Sequence, residues 1–279
     1  MIALSFGPFV VPANLLTLFV AAIVAGLVGR WAGRLHGATI AGVLVDMFLA
    51  ALIAARLAFV LLWFDRYRPS PWDMLDIRDG GFTAWAGIVS AALVGAWRGW
   101  RQPTLRKPLQ YGLIAGALVW ILSPGAIRFG EGPALISLSS STLTDFRGAP
   151  VNLAAIAKGK PLVINLWATW CPPCRREMPV LVEAQQERPD VGFVFANQGE
   201  DGAAVGRYLS LDRAPPANVL LDPSRSIGKA VGSFGLPTTL FYDAQGRLVS
   251  THVGALSAAS LAAALADMTP PHLGRAARP

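Results

Sequence analysis

Hydrophobic and polar positions follow two different patterns along the chain, with a change near residue 128. The first part contains four long apolar stretches that are separated by charged residues. About 20 apolar residues in a helix cross a hydrocarbon layer of ~30 Å, so each stretch is a candidate membrane span. The predicted spans are residues 9–29, 37–64, 80–97 and 108–127. The third is short and rich in Gly and Ala, and a re-entrant or interfacial segment is the alternative there.

After residue 128 the apolar stretches become short and alternate with helical patterns. A buried-strand pattern at Leu162–Trp167 precedes a helical stretch to about Arg188, and further strands and helices follow up to Met268. Strands that alternate with helices and end in a hairpin plus a helix predict a mixed α/β domain. The predicted organisation is therefore multi-domain: an all-α four-helix transmembrane region (1–128), a linker (129–142), an α/β domain (143–268) and a disordered tail (269–279).

Net charge is distributed unevenly between these two parts. Residues 1–128 contain eleven Lys and Arg against five Asp and Glu, which accounts for +6 of the total of +7. The first and third loops between the predicted spans carry cations without acids, and such loops are retained in the cytoplasm. This predicts a multi-pass protein of the bacterial inner membrane, with both termini and the α/β domain on the periplasmic side. Basic runs with interleaved aromatic residues do not occur after residue 128, so no nucleic-acid partner is expected.

Two ionisable side chains, Asp46 and Arg56, fall within the second predicted span. A charge near the bilayer centre costs at least ~2.5 kcal/mol, so a functional role is one interpretation. The other interpretation is structural: Arg56 reaches outward to the membrane interface, and Asp46 is held by polar partners on another helix.

The only two cysteines, Cys171 and Cys174, lie at the start of the helix that follows the first strand of the α/β domain. A helix N-terminus favours a thiolate, so Cys171 is the predicted nucleophile. Cys174, one turn further on and more buried, is predicted to resolve a mixed disulfide. Pro172 and Pro173 suit a helix start because missing N–H groups cost little there. Zinc binding, which needs four ligands, and an inert structural disulfide are the weaker alternatives, and no cofactor is predicted.

Three separated motifs resemble the TlpA-like, membrane-anchored branch of the thioredoxin family, over about residues 141–268. They are residues 143–148, residues 159–179 with Trp-Cys-Pro-Pro-Cys, and residues 235–242. The resemblance implies a thioredoxin-like fold and thiol-disulfide oxidoreductase activity. It also implies that Pro237 is a cis-proline facing the disulfide, and that Leu236 and Trp170 contribute to binding an extended substrate segment.

Two polar residues are candidate modulators of the proton chemistry of the cysteines. Asn165 occupies the place where thioredoxin has a buried carboxylate that assists proton transfer to the second cysteine, and an amide cannot serve as that base. Glu177, one helical turn after Cys174, is the nearest acid in sequence. It either modulates the pair or is a solvated residue on the helix surface.

Three stretches of the first part resemble prolipoprotein diacylglyceryl transferase, which moves a diacylglyceryl group from phosphatidylglycerol to a lipobox cysteine. They are residues 5–8, 55–59 and 79–87. The transferase family has His-Gly-Gly where this chain has Trp85, Ala86 and Gly87, and the family's remaining spans are missing. The resemblance therefore favours a membrane anchor over a working transferase.

Together these features predict a membrane-anchored envelope thiol-disulfide oxidoreductase in which Cys171 and Cys174 cycle between dithiol and disulfide. The resemblance is to the reducing branch, so the expected substrates are disulfides of periplasmic or other extracytoplasmic proteins, for example during cytochrome c or copper-site assembly. The membrane part has no cysteine, so a separate transmembrane electron donor of the DsbD or CcdA kind is expected, besides the lipid bilayer. Two alternatives stay open: a lipid-modifying transferase with an appended redox domain, and a scaffold that only binds extended segments.

Overall fold

The computed structural model describes residues 3–6, 9–35, 37–123, 143–211, 215–233 and 235–268. The predicted linker 129–142 and the predicted tail 269–279 lie outside the described residues. The described chain divides into two compact units. The first contains the residues up to Phe64 and those from Gly81 to Ser123, and the second contains Asp65–Gly80 and the residues from Leu143 onward. The second unit is thus built from two separate pieces of sequence.

The first unit consists of an antiparallel hairpin and four long helices among its described residues. The hairpin joins β1 (Ala3–Phe6) to β2 (Phe9–Pro12). The long helices are α1 (Ala13–Leu35), α2 (Ala41–Leu62), α4 (Ala84–Arg101) and α5 (Arg106–Leu122). A short helix, α3 (Phe64–Tyr67), follows α2 and lies almost entirely in the second unit. The four long helices correspond to the four apolar stretches of the sequence.

Small residues allow these helices to approach each other closely in pairs, α1 with α5 and α2 with α4. A Cβ atom added to Gly112 of α5 would lie 2.7 Å from the carbonyl oxygen of Ala25 in α1. A Cβ atom on Gly87 of α4 would lie 3.0 Å from the carbonyl oxygen of Ala51 in α2. A side chain at Gly112 would therefore collide with the backbone of α1, and one at Gly87 would need a shift of a few tenths of an ångström, so small residues keep both helix pairs close together.

Two of the four long helices are long and apolar enough to cross a membrane, at Leu16–Leu35 and Ala41–Leu62. The same criterion of length and hydropathy does not select α4 or α5, which have 18 and 17 residues. The fold therefore agrees with a helical N-terminal region, while the number of candidate spans among the described residues is two and not the predicted four.

The two ionisable residues of the second predicted span both have partners within the first unit. Asp46 of α2 forms an ion pair with Arg98 of α4, which agrees with the structural interpretation. Arg56 is buried and donates a hydrogen bond from Nη1 to the carbonyl oxygen of Gly81 at 2.9 Å. The expectation that Arg56 reaches outward to the interface is wrong, because this backbone acceptor and the ring of Phe82 hold its guanidinium inside the unit.

The second unit is organised around a five-stranded sheet in the order β5-β4-β3-β6-β7. The strands are β3 (Leu162–Trp167), β4 (Gly192–Gln198), β5 (Val219–Asp222), β6 (Thr238–Tyr242) and β7 (Leu248–Val253). The helices are α6 (Leu153–Ala157), α7 (Pro172–Glu187), α8 (Gly202–Leu209), α9 (Ser226–Ala230) and α10 (Ala258–Met268). β3, β4 and β5 are parallel, whereas β6 runs antiparallel to β3 and β7 antiparallel to β6. This is the mixed α/β arrangement that the sequence predicts.

Alternate residues of the central strand β3 enter two separate hydrophobic clusters. Val163 and Trp167 belong to the cluster that includes both cysteines, whereas Ile164 and Leu166 belong to the other. Side chains alternate between the faces of a sheet, so Asn165 lies on the side of the cysteine cluster. The strand thereby carries one polar residue toward the redox pair.

Candidate redox site

The two cysteines form a disulfide at the start of α7, in agreement with the pairing predicted from their spacing. Cys171 caps the helix, and Cys174 lies in its first turn. Their sulfur atoms are 2.00 Å apart, and the backbone N–H of Cys174 donates a hydrogen bond to Cys171 Sγ at 3.3 Å. A backbone donor and the positive end of the helix dipole thus meet at Cys171 Sγ, which stabilises a thiolate once the disulfide opens.

Burial differs among the residues around the disulfide. Cys171 is 3% exposed and Cys174 is 0% exposed, so the predicted resolving cysteine is the more buried of the two. Trp170, directly before Cys171, is 60% exposed, and Pro172 is also exposed while Pro173 is half-buried. An apolar surface therefore borders the disulfide where an approaching protein segment can reach it.

The Leu236–Pro237 peptide bond is cis, as the resemblance implies. Pro237 is buried, and Leu236 packs against the hydrophobic cluster that contains both cysteines. The carbonyl oxygen of Pro237 accepts a hydrogen bond from the backbone N–H of Gly254 at 3.0 Å. The fold thus brings the start of β6 to the same cluster as the start of α7, although the two are far apart in sequence.

Glu177 is a buried acid on the same helix as the cysteines. It is 2% exposed, so the alternative of a solvated helix residue is wrong. Asn165 Nδ2 donates to Oε1 at 2.8 Å, and the backbone N–H of Leu256 donates to Oε2 at 2.8 Å. Burial raises the pKa of Glu177 from 4.5 to about 7, because the loss of solvation outweighs these two hydrogen bonds, which lower it. A carboxyl that titrates near neutral pH is suited to accept and donate a proton.

Asn165 holds Glu177 from the central strand. Its Nδ2 donates a second hydrogen bond to Thr239 Oγ1 at 3.0 Å, which ties β3 to β6 through side chains. Its Oδ1 is buried and accepts no hydrogen bond from the described residues. The amide thus donates to both Glu177 and Thr239, while its own oxygen has no donor among the described residues.

A further carboxylate, Glu200, holds the loop that carries Trp170 and Cys171. Its Oε2 accepts hydrogen bonds at 2.7 Å from the backbone N–H of Thr169 and from Asn197 Nδ2, and its Oε1 accepts one from Thr169 Oγ1 at 2.5 Å. Sequence reasoning does not single out Glu200, because it follows β4 without any motif. Only the parallel pairing of β3 and β4 brings these loops together.

Comparison with known proteins agrees with this geometry. The Redoxin family matches residues 135–265. The thiol:disulfide interchange protein DsbE of Tatumella citrea is 30% identical over 155 residues, which cover 52% of this chain and 82% of the relative. This chain belongs to the DsbE-like thiol:disulfide interchange proteins. DsbE of Pseudomonas fluorescens is 34% identical over 99 residues, and the thiol-disulfide oxidoreductase ResA of Halalkalibacterium halodurans is 30% identical over 118 residues. These two matches cover 36% and 41% of this chain, and 54% and 65% of the respective relatives.

Membership of the thiol:disulfide interchange proteins confirms the predicted enzyme class and the thioredoxin-like fold of the C-terminal half. The Redoxin match begins at residue 135, after the described helices of the first unit. The resemblance of residues 1–130 to the diacylglyceryl transferases remains a prediction from the sequence.

Proposed function

We propose that this protein is a membrane-anchored envelope thiol-disulfide oxidoreductase that reduces disulfides of extracytoplasmic proteins. The observation that carries the proposal is the Cys171–Cys174 disulfide at the N-terminus of α7, on a helix that also bears the buried acid Glu177. No cofactor is needed, because the cysteine pair itself carries the two electrons.

In the proposed cycle, the Cys171 thiolate of the reduced protein attacks one sulfur of a substrate disulfide. This forms a mixed disulfide and releases the other substrate sulfur as a thiolate, which takes a proton. The Cys174 thiolate then attacks Cys171 Sγ, reforms the intramolecular disulfide and releases the second substrate sulfur. Two electrons pass from the cysteine pair to the substrate, and an external donor returns the pair to the dithiol.

Glu177 is the proposed proton acceptor for Cys174. A buried thiol is a poor nucleophile until it loses its proton, and Glu177 lies three residues further along the same helix. With a pKa near 7, its carboxyl is partly ionised at neutral pH and can take the proton. Asn165 keeps the carboxyl in place through the hydrogen bond from its Nδ2 to Oε1.

Leu236, Pro237 and Trp170 form the proposed binding surface for an extended substrate segment. Leu236 and Pro237 lead into β6, and Trp170 offers an exposed ring beside the nucleophile. The rigid Pro172 and Pro173 keep Cys171 at the end of α7. An unfolded or flexible cysteine-containing segment is the kind of partner that such a surface accommodates.

The helical N-terminal region supports the proposed location in a membrane. We propose that α4 and α5 complete a four-span anchor in the bacterial inner membrane together with the two longer helices, with the redox unit on the periplasmic side. Thiols are oxidised in that compartment, so a reductase needs continuous re-reduction. A transmembrane donor of the DsbD or CcdA kind is the proposed source of electrons, and cytochrome c or copper-site proteins are the proposed substrates.

A trapping experiment with Cys174→Ala tests this function. Without the resolving thiol, the variant should accumulate mixed disulfides through Cys171 in membranes, and mass spectrometry would identify the trapped proteins. The double variant Cys171→Ser/Cys174→Ala is the matched control and should trap nothing. A Cys174→Ala protein that captures no adduct would favour the non-catalytic scaffold, and a midpoint potential as oxidising as ~−120 mV would contradict the reductase direction.

The transferase alternative gains nothing from the described residues of the first unit. Trp85 stands at the position of the family's histidine, and Arg56, within one of the resembling stretches, is engaged by the carbonyl oxygen of Gly81. We therefore assign the first unit to anchoring.

A further inference from the structure

The turn of residues 254–257, between β7 and α10, supports the redox site at two points. The backbone N–H of Gly254 donates to the carbonyl oxygen of Pro237 at 3.0 Å. The backbone N–H of Leu256 donates to Glu177 Oε2 at 2.8 Å, and its side chain is buried in the cluster that contains both cysteines. The position of this turn therefore sets the position of the cis-proline carbonyl and of the Glu177 carboxylate.

A carboxylate from a distant part of the sequence holds the same turn. Asp79 is buried, and its Oδ2 accepts a hydrogen bond from Ser257 Oγ at 2.9 Å. The same oxygen accepts a hydrogen bond from Tyr67 Oη at 2.7 Å, and Tyr67 is buried as well. Asp79 thus links Ser257 of the turn to the start of its own segment, Asp65–Gly80.

Further contacts fit this segment against the turn and against β7. A Cβ atom on Gly80 would lie 2.8 Å from Cε1 of His252, so any side chain there would require the imidazole to move. Gly80 also has a φ of +69°, which glycine adopts without strain. A Cβ atom on Gly254 would lie 3.6 Å from the carbonyl oxygen of Arg78. Arg66 forms an ion pair with Glu187, at the last residue of α7. The segment therefore contacts both the turn and the helix of the redox pair.

Losing the hydrogen bonds to a buried carboxylate costs more free energy than losing those to an exposed one, because the buried donors left behind cannot bind water instead. The turn itself has irregular backbone, so its geometry depends on such side-chain contacts more than that of a strand or helix does. Loss of the Asp79 carboxylate therefore frees Ser257 and loosens the residues that contact Glu177 and Pro237.

We propose that Asp65–Gly80 is an integral part of the redox unit, and that Asp79 is a positioning residue for the redox site which acts through the turn 254–257. The second half of this inference rests on the proposed oxidoreductase function. The segment comes from between α2 and α4 in sequence, so the redox unit is incomplete without a piece of the N-terminal region.

Four variants of the full chain in detergent test the inference. Asp79→Ala removes the acceptor, whereas Asp79→Asn retains an oxygen acceptor without the charge. Tyr67→Phe removes one donor and keeps the buried ring, so it tests the contact even if Asp79→Ala folds poorly. Asp65→Ala is the control, because Asp65 is an exposed carboxylate of the same segment that pairs with Arg68.

Hydrogen exchange of the amides in residues 254–258 is the first measurement. Asp79→Ala should speed this exchange about tenfold, the factor that corresponds to ~1.4 kcal/mol, and Tyr67→Phe should speed it less. Asp79→Asn and Asp65→Ala should exchange like the wild type. Unchanged exchange in both Asp79→Ala and Tyr67→Phe would overturn the assignment of the segment to the redox unit.

Single-turnover reduction of a quenched disulfide peptide by the reduced protein is the second measurement. Asp79→Ala should slow the step that depends on Cys174 by about tenfold, and Asp79→Asn should restore it, because the hydrogen-bond acceptor positions the turn. Wild-type rates in a folded Asp79→Ala would overturn the positioning role. A wild-type protein that fails to reduce the peptide would instead contradict the proposed function, and the exchange measurement would still decide whether the segment belongs to the unit.

Discussion

Replacing Glu177 with glutamine should change how the stability of the redox unit depends on pH. The pKa of Glu177 rises from 4.5 to about 7 on folding, because the carboxyl is buried between α7 and the sheet. A raised pKa means that the folded state binds a proton more tightly than the unfolded state. The contribution is therefore fully present below about pH 4.5 and is lost as the pH rises through 7.

The magnitude follows from the size of this change. One pKa unit corresponds to ~1.4 kcal/mol, so Glu177 alone should lower the free energy of unfolding by about 3 kcal/mol between pH 4.5 and 8. Glu177→Gln does not titrate, and its amide can still accept the hydrogen bond from Leu256. The difference in stability between variant and wild type should therefore shift in favour of the variant by about 3 kcal/mol over this range.

Urea denaturation of the oxidised protein in detergent micelles measures this difference at several pH values, with near-ultraviolet circular dichroism as the signal. Glu183→Gln is the matched control, since Glu183 is an exposed residue of the same helix. The control should differ from the wild type by a constant amount. A constant difference for Glu177→Gln as well would refute the reasoning, because it would mean that burial does not perturb the carboxyl.

Three further predictions concern other parts of the protein. Glu200→Ala should slow alkylation of reduced Cys171 and lower the melting temperature of the redox unit, because a half-buried hydrogen-bond network loses its acceptor. Glu200→Gln should retain most of the alkylation rate and of the melting temperature, and equal behaviour of the two variants would argue against a role of Glu200 in holding the loop. Gly112→Leu should destabilise the helices by about 1–3 kcal/mol in a detergent melting assay, because a Cβ atom there meets the backbone of α1. The control Gly26→Ala should leave stability unchanged, because a Cβ atom on Gly26 meets nothing within 4 Å. Wild-type stability of Gly112→Leu would contradict the close contact between α1 and α5. Trp170→Ala should change the free energy of unfolding by no more than about 0.5 kcal/mol, because the side chain is exposed. It should raise the KM for protein disulfides more than the KM for a small disulfide, and an unchanged ratio of these two KM values would exclude Trp170 from substrate binding.

Local patterns in the sequence predict most of the second unit. β3 has the bounds that the apolar run Leu162–Trp167 indicates, and the unit ends in the predicted hairpin, formed by β6 and β7, and the predicted helix, α10. These elements are well predicted because each depends on the periodicity of a few neighbouring residues. The prediction of the redox pair is equally local, because Cys171 and Cys174 are three residues apart and both lie at the junction between a strand and a helix.

Local patterns predict the helices of the first unit but not how many of them meet the length and hydropathy of a membrane span. Each apolar stretch becomes a helix, but two of the four are too short or too polar to satisfy the span criterion alone. The sequence also leaves open whether Asp46 and Arg56 are functional. Their partners, Arg98 and Gly81, are 52 and 25 residues away, and no local pattern connects them.

From the sequence come the α/β class of the second unit and the pairing of Cys171 with Cys174, and the family resemblance implies the cis peptide bond at Pro237. The burial of Glu177 against Asn165 and Leu256, the contacts of Glu200 with the cysteine loop, and the place of Asp79 in the redox unit are evident only in the folded structure. Glu177 and Leu256 are 79 residues apart, and Asp79 and Ser257 are 178 residues apart. Burial and hydrogen bonds between such distant residues arise from the packing of whole elements, and a pattern of neighbouring side chains does not encode which of them meet.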